Sequence, residues 1–293
     1  MTARIIDGKS IAAQIRADLI PRVAALKARG VTPSLAAVLV GDDPASAVYV
    51  GAKKKAADEL GMGSEIIRRP ATTTQAELSA LVKELNSRKE LHGYIIQSPL
   101  PRGLEESSLV DLIDPAKDID GFQPYNFGTM TLGGGTLLPC TPAGILELLV
   151  RSNITTAGAE VVVLGRGNIV GRPMSILLSR KGKGGDATVT LCHSRTKELY
   201  KHTRRADILI LAMGQPEMVK GDMVKEGATI IDVGINRVDA PETPKGYRLV
   251  GDAHFATVSE VAGAITPVPG GVGPMTVAML MQNTVLAAEL KLK

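Results

Sequence analysis

Residues 161–171 read Val-Val-Val-Leu-Gly-Arg-Gly-Asn-Ile-Val-Gly, and Pro173 follows shortly after. The apolar run predicts a buried strand, and the glycines predict a turn into a helix whose first turn holds the proline. Such a turn lets backbone N–H groups approach a pyrophosphate at a helix N-terminus, where the dipole favours negative charge. This is the grammar of a dinucleotide-binding fold. The spacing is G-x-G-x-x-x-G, one residue longer than the usual fingerprint, and a strand-to-helix turn with no ligand carries the same local pattern.

The end of the next strand separates the two nicotinamide cofactors. Domains selective for NAD place an acid there, on the ribose 2′-hydroxyl. Here the end reads Cys192-His193-Ser194-Arg195, and the segment from Arg180 to Arg205 holds eight basic residues against two acidic ones, an excess larger than the +4 of the whole chain. A hydroxyl and several cations suit a 2′-phosphate, so NADP is the expected cofactor, with Arg166 a second candidate for the phosphate. A solvated basic face remains the alternative for the segment, and a solvated loop arginine for Arg166.

Strand-like and helical stretches alternate along most of the 293 residues, a length that suits two domains. Strands are expected at Ser34 to Val40, Glu65 to Arg68, Gly93 to Gln97, Glu160 to Leu164, Thr188 to Cys192, Asp207 to Ala212 and Thr229 to Val233. Ser10 opens a helix running to Gly30, Asp43 and Pro44 open one ending at Gly61, and Thr74 to Glu77 is a capping box. Pro115 to Pro139 reads as loop, with the domain boundary near Gly133-Gly134-Gly135. Thr141 and Pro142 cap a helix to Arg151, and a last helix starts at Pro274. The expectation is an α/β protein: an N-terminal αβ catalytic domain over 1–140, a C-terminal Rossmann-like dinucleotide-binding domain over 141–273 and a cleft between them, with helix 274–293 returning to the first domain.

Composition excludes several classes. Aromatic residues are 3% of the chain and Trp is absent, which argues against stacking platforms for nucleic acid. Cys140 and Cys192 stand far apart with no ligand spacing around them, so neither a disulfide framework nor a metal site is expected. The N-terminus lacks an apolar signal core and no run reaches a membrane span, so a cytoplasmic location is expected, away from membranes.

On a helical wheel with Val48 at zero, Ala45, Ala52, Ala56 and Leu60 form an apolar stripe about 120° wide centred near 70°. Tyr49 and Lys53 fall at about 100° and 140°, and Lys54 points away from the stripe. Lys53 is thus read as half-buried, and desolvation suits a lysine to acid–base work. A snorkelling helix lysine fits the same pattern. Tyr-x-x-x-Lys also occurs in short-chain dehydrogenases, but there it serves a preceding nucleotide fingerprint, whereas here the pair lies over 100 residues before the glycine turn.

Other segments carry chemistry-bearing residues in loops. Gln97-Ser98-Pro99-Leu100-Pro101 ends a strand, where ligands of open sheets bind, and Lys117-Asp118-Ile119-Asp120-Gly121-Phe122 offers two carboxylates. Asp120 could accept a pair of N–H donors from a heterocycle, while a solvated turn is the plainer role for both aspartates. Pro269 to Thr276 is either a tight reversal or a cofactor wall.

Taken in register, these segments, together with Pro139-Cys-Thr-Pro142 and Asp232-Val-Gly-Ile-Asn236, resemble the bifunctional methylenetetrahydrofolate dehydrogenase/cyclohydrolase family of the bacterial FolD type. The resemblance implies oxidation of 5,10-methylenetetrahydrofolate by NADP and hydrolysis of the methenyl product to 10-formyltetrahydrofolate, both in one cleft. It also implies Lys53 as the acid–base residue, Gln97 holding its ammonium, Tyr49 lining the folate ring and Asp120 on the pterin edge. Gly165, Arg166, Gly167, Ser194, Ile235 and Thr276 would contact the cofactor. Tetrahydrofolate derivatives are the implied partners, in a homodimer joined through the nucleotide domains. Ser98, Gln123, Gly167 and His254 depart from the usual Leu, His, Ser and Asp, and Lys181 to Gly185 looks lengthened. An oxidoreductase of another small substrate, or a silent NADP- or folate-binding module, is the competing reading; Lys53, Gln97 and Asp120 together argue against a mere binder.

Overall fold

The computed structural model describes residues 2–135, 137–244 and 246–292. The chain divides into two compact units, one of Met1–Ala12 with Thr141–Thr276 and the other of Ala13–Cys140 with Val277–Lys293.

The second of these is built on a three-stranded parallel sheet with Ser34–Val40 between Gly63–Arg69 and Gly93–Ile96. Six of the seven residues of Ser34–Val40 are buried, as a central strand requires. The capping box forms as its sequence predicts: the Thr74 side chain accepts from the Glu77 N–H, and Glu77 reaches back to the Thr74 N–H. Leu78, Leu81, Val82 and Leu85 of the following helix, Gln75–Ser87, then pack on Ala36, Val38, Tyr94 and Ile96. Residues 115–139 hold more structure than a loop, with a 3₁₀ turn at Pro115–Lys117 and a helix at Pro124–Thr131. Gln123 caps that helix by accepting from the Tyr125 N–H, and Pro124 sits where no N–H is needed.

The other unit carries a six-stranded, wholly parallel sheet in the order Arg4–Ile5, Ala264–Ile265, Thr229–Asp232, Ile208–Leu211, Glu160–Leu164, Thr188–Cys192. The order reverses between Glu160–Leu164 and Ile208–Leu211, which places a ligand crevice at the carboxyl ends of those two strands. An antiparallel hairpin, Asn236–Asp239 with Tyr247–Val250, leaves this sheet. Residues 1–12 differ from the expected division of the chain. The Arg4–Ile5 strand pairs with Ala264–Ile265, and the Arg4 guanidinium donates to the Ser152 carbonyl at 3.0 Å, so the N-terminus completes the six-stranded sheet.

Three helix starts also differ. The helix ending at Arg151 begins at Cys140, so Thr141 lies within its first turn instead of capping it. The first helix begins at Gly8 because the Asp7 carboxylate accepts from the Lys9 and Ser10 N–H groups, so Asp7 rather than Ser10 is the cap. The last helix is Val272–Leu290, two residues earlier than its proline suggests.

Candidate active site

Lys53 stands on the helix Pro44–Glu59, which Asp43 caps by accepting from the Ser46 N–H at 2.7 Å. The buried face of this helix runs through Ser46, Val50, Ala56, Ala57 and Leu60, and Lys53 lies half-buried within it. The stripe is therefore rotated from the expected one: Val48 is 72% exposed, and Ala45 and Ala52 are exposed as well. Small residues leave the helix little directional preference, so packing decides the face even though it buries the Ser46 hydroxyl without a hydrogen-bond partner. Tyr49 is 43% exposed beside this face.

Gln97 follows the Gly93–Ile96 strand and donates its own N–H to the Val38 carbonyl, which holds its backbone in the sheet. Its side-chain Nε2 donates to the Ser98 carbonyl at 2.6 Å, leaving Oε1 to accept from Lys53 Nζ at 2.9 Å. The amide cannot reverse without placing two oxygens together, so Lys53 is tethered in one direction.

Asp120 is half-buried in the loop that passes the edge of the same sheet. Burial pushes its carboxyl above the ordinary value, against the pull of the Lys53 ammonium. Asp118, two residues earlier, has a different task. It is buried, and its carboxylate accepts from the Gly121 N–H at 3.0 Å, the Gln123 N–H at 2.8 Å and Asn126 Nδ2 at 2.9 Å. The solvated-turn reading of Asp118 is thus corrected: it is an internal brace for the loop. Lys117 is likewise structural, with its ammonium donating to the carbonyls of Leu85 and Arg88. Gly121 has φ +82°, and a Cβ there would lie 2.4 Å from the Pro139 nitrogen, so the segment before Cys140 presses on the chain just after Asp120. The buried Cys140 thiol donates to the Ile119 carbonyl at 3.2 Å, and burial pushes its pKa well up.

In the other unit, the glycine turn is shaped by backbone contacts. A Cβ on Gly165, whose φ is +113°, would lie 2.1 Å from the Ala212 carbonyl oxygen, and one on Gly171 would lie 1.9 Å from the Gly165 oxygen. Gly167 faces open space, with no atom within 4 Å of a Cβ built there. The helix Gly171–Ser179 starts at Val170 with no side-chain cap; the Arg172 N–H donates to the Gly167 carbonyl at 3.1 Å and Pro173 has no N–H, which leaves the Gly171 N–H of the first turn to meet an anion. The Gly165 N–H donates to the Cys192 carbonyl, which brings the turn beside the end of the Thr188–Cys192 strand. Arg166 and Ser194 are exposed on these neighbouring ends, and Arg195 with them. An open glycine turn at a helix N-terminus and adjacent cations fit a dinucleotide with a 2′-phosphate.

Ile235 and Thr276 belong to the same unit. Ile235 is 46% exposed, and its Cδ1 lies 3.8 Å from a Cβ built on Gly273. The Thr276 hydroxyl is 2.9 Å from that of Thr141. Sequence reasoning missed Asp252 here. It is fully buried and accepts from the N–H groups of Met213, Gly214 and Gln215 and from Asn236 Nδ2, shaping the loop after the Ile208–Leu211 strand. Neighbouring Asp232 accepts from the N–H groups of Gly234, Asp252 and Ala253, yet burial, helped by the Asp252 charge, raises its pKa to about 6. Only the small neighbours Gly251 and Ala253 hinted that backbone crowds Asp252.

Both cysteines are free and buried, and no cluster of three or more metal-ligating side chains occurs among the described residues. Nor is any helix among them long and apolar enough to cross a membrane.

Residues 6–120 match the family description "Tetrahydrofolate dehydrogenase/cyclohydrolase, catalytic domain", and residues 139–292 match "Tetrahydrofolate dehydrogenase/cyclohydrolase, NAD(P)-binding domain". The chain is 53% identical over 289 residues to the bifunctional protein FolD of Flavobacterium johnsoniae, covering 98% of each chain. Among solved structures it resembles the bifunctional FolD of Campylobacter jejuni, with a TM-score of 0.92, 43% identity and 99% of each chain covered. It also resembles the Trypanosoma brucei enzyme complexed with NADP and an inhibitor, with a TM-score of 0.94, 38% identity and coverage of 100% of this chain and 99% of that one.

Proposed function

The chain belongs to the tetrahydrofolate dehydrogenase/cyclohydrolase family, and from that premise we propose how its own residues divide the work. The protein is a bifunctional enzyme that oxidises 5,10-methylenetetrahydrofolate with NADP and hydrolyses the methenyl product to 10-formyltetrahydrofolate. Folate binding falls to the unit of residues 13–140 and 277–293, and NADP binding to residues 141–276 with 1–12.

The observation that carries the assignment is the Lys53–Gln97 hydrogen bond at 2.9 Å. Water adding to the methenyl carbon must lose a proton, and Lys53 Nζ, in its neutral amine form, is the group that takes it and returns it to the ring nitrogen that leaves as the 10-formyl product forms. Gln97 fixes where Nζ stands. Asp120, held beside this pair by the braced loop, binds the amino edge of the pterin, and Tyr49 lies against the flat ring. NADP, when bound, supplies the hydride acceptor. Gly165, Gly167 and the start of the Gly171–Ser179 helix cradle its pyrophosphate, Arg166 and Ser194 hold its 2′-phosphate, and Ile235 and Thr276 contact its nicotinamide half. The reading includes a homodimer joined through the nucleotide domains and a cytoplasmic location, both carried over from the sequence reading.

The test separates the two half-reactions. Hydration of the methenyl carbon depends on proton transfer, whereas hydride transfer depends mainly on alignment. Lys53→Met should therefore lower hydrolysis of supplied methenyltetrahydrofolate by about a hundredfold or more, the scale of general acid–base catalysis, and affect the dehydrogenase less. Unchanged hydrolysis would remove Lys53 from the mechanism.

A further inference from the structure

The loop carrying Asp120 is braced from a second direction, by the C-terminal helix. Asn283 is 3% exposed, and its Nδ2 donates to the Ile119 carbonyl at 2.8 Å and to the Leu138 carbonyl at 2.9 Å. One amide thereby uses both its protons to tie together the residue before Asp120 and the strand of chain before Cys140. The same Nδ2 lies 3.6 Å from Cys140 Sγ, which itself donates to the Ile119 carbonyl. Cys140 closes the ring by donating its backbone N–H to the Asp120 carbonyl at 3.2 Å.

Asp120 thus sits between two anchors of different kinds. On its C-terminal side, Asp118 gathers the N–H groups of Gly121 and Gln123. On its N-terminal side, Asn283 gathers carbonyl oxygens. An acceptor brace and a donor brace on opposite flanks determine both the position and the tilt of the peptide between them. Neither can stand in for the other, because a carboxylate cannot donate and the Asn283 Nδ2 cannot accept.

We propose that Asn283 is a positioning residue for the folate site, acting by holding the Ile119–Asp120 peptide so that the Asp120 carboxylate meets the pterin. This rests on the reading of Asp120 as the pterin-binding carboxylate. Asn283 touches no reacting group. Its effect passes through Asp120, and so it should appear in folate affinity and vanish when the Asp120 carboxylate is gone.

A double-mutant cycle tests this directly. Asn283→Ala and the near-isosteric Asn283→Asp, which removes both donors, are each made in the wild-type and Asp120→Ala backgrounds. Folate affinity is read by titration with tetrahydrofolate, circular dichroism and the denaturant midpoint check that the folate unit is folded, and NADP affinity serves as the control on the other unit. In the wild-type background either Asn283 variant should weaken tetrahydrofolate binding on the order of tenfold, the scale of a lost buried hydrogen bond, with NADP affinity unchanged. In the Asp120→Ala background the same substitutions should change it by less than about twofold. Equal losses in both backgrounds, or wild-type folate affinity in a folded Asn283 variant, would overturn the proposal. If Asp120→Ala alone leaves folate affinity intact, the failure belongs to the role assigned to Asp120. If Asn283→Ala does not fold, the cycle is read from Asn283→Asp, whose shape fills the same space.

Discussion

Replacing Gly171 by alanine should disable the cofactor half of the enzyme while leaving the folate half folded. The new Cβ would lie 1.9 Å from the Gly165 oxygen, 2.6 Å from the Gly165 carbonyl carbon and 2.9 Å from the Arg166 Cα. Ordinary contacts between such atoms begin above about 3 Å, so the turn must open by more than about 1 Å. All three neighbours are backbone, and no side chain can swing aside. Overpacking usually costs about 1–3 kcal/mol, and a clash with rigid backbone belongs at about 3 kcal/mol. If the turn opens to relieve it, the N–H groups that meet the pyrophosphate leave their places, and about 3 kcal/mol corresponds to a loss of roughly a hundredfold in affinity. Gly167 is the internal control. A Cβ there meets no protein atom within 4 Å, and the serine usual at this position in the family carries one already, so Gly167→Ala should bind NADP within about threefold of wild type. Calorimetric titration with NADP measures both, and hydrolysis of methenyltetrahydrofolate reports the state of the other unit. Wild-type NADP affinity in Gly171→Ala, or an equal loss in Gly167→Ala, would refute the argument that backbone approach shapes this turn.

Three further outcomes are expected. Arg166→Ala should lower kcat/KM with NADP by about 1.5–3 kcal/mol and leave the value with NAD nearly unchanged, since a charge-assisted contact to a phosphate is lost; equal losses with both cofactors would refute the 2′-phosphate role. Asp232 keeps its proton in the folded protein up to about pH 6 but loses it near pH 3.8 when unfolded, so the native state binds more protons in that window and stability falls as pH rises through it. Denaturant unfolding from pH 4 to 7 should show this contribution, roughly 2–3 kcal/mol in total, and Asp232→Asn should flatten it. Asp118→Ala strands the N–H groups of Gly121 and Gln123 together with the Asn126 amide, and should cost about 3 kcal/mol or more in denaturant unfolding; a variant of wild-type stability would show that the loop does not depend on its brace.

Much of this was legible in the chain because local chemistry is unambiguous there. Ser34–Val40, Glu160–Leu164 and Thr188–Cys192 are strands over the expected residues, since runs of branched apolar residues between glycines and caps have few other places to go. Thr74 and Glu77 form their capping box because both partners lie within one helical turn. The half-burial of Lys53 was also legible, although the stripe around it was not. Alanine gives little directional preference, and only packing against the sheet decided that Ser46 goes in and Val48 stays out. Pro124–Thr131 read as loop because proline, asparagine and glycine weaken the helical signal, while the cap that starts the helix belongs to Gln123.

The sequence by itself determined the family, and it pointed to the two sites proposed above: a glycine turn with cations for a dinucleotide, and a lysine, a glutamine and an aspartate in one unit for the folate. Their spacing along the chain carries those identities because each motif is local. What the tertiary structure alone decided is how the side chains are held. Gln97 is aimed at Lys53 across 44 residues of chain, Asn283 reaches Ile119 across 164, and Arg4–Ile5 joins a sheet whose neighbouring strand begins at Ala264. None of these has a periodic or local signature, since a hydrogen bond between distant segments depends on the path of the backbone between them and leaves no repeating pattern in the residues it joins.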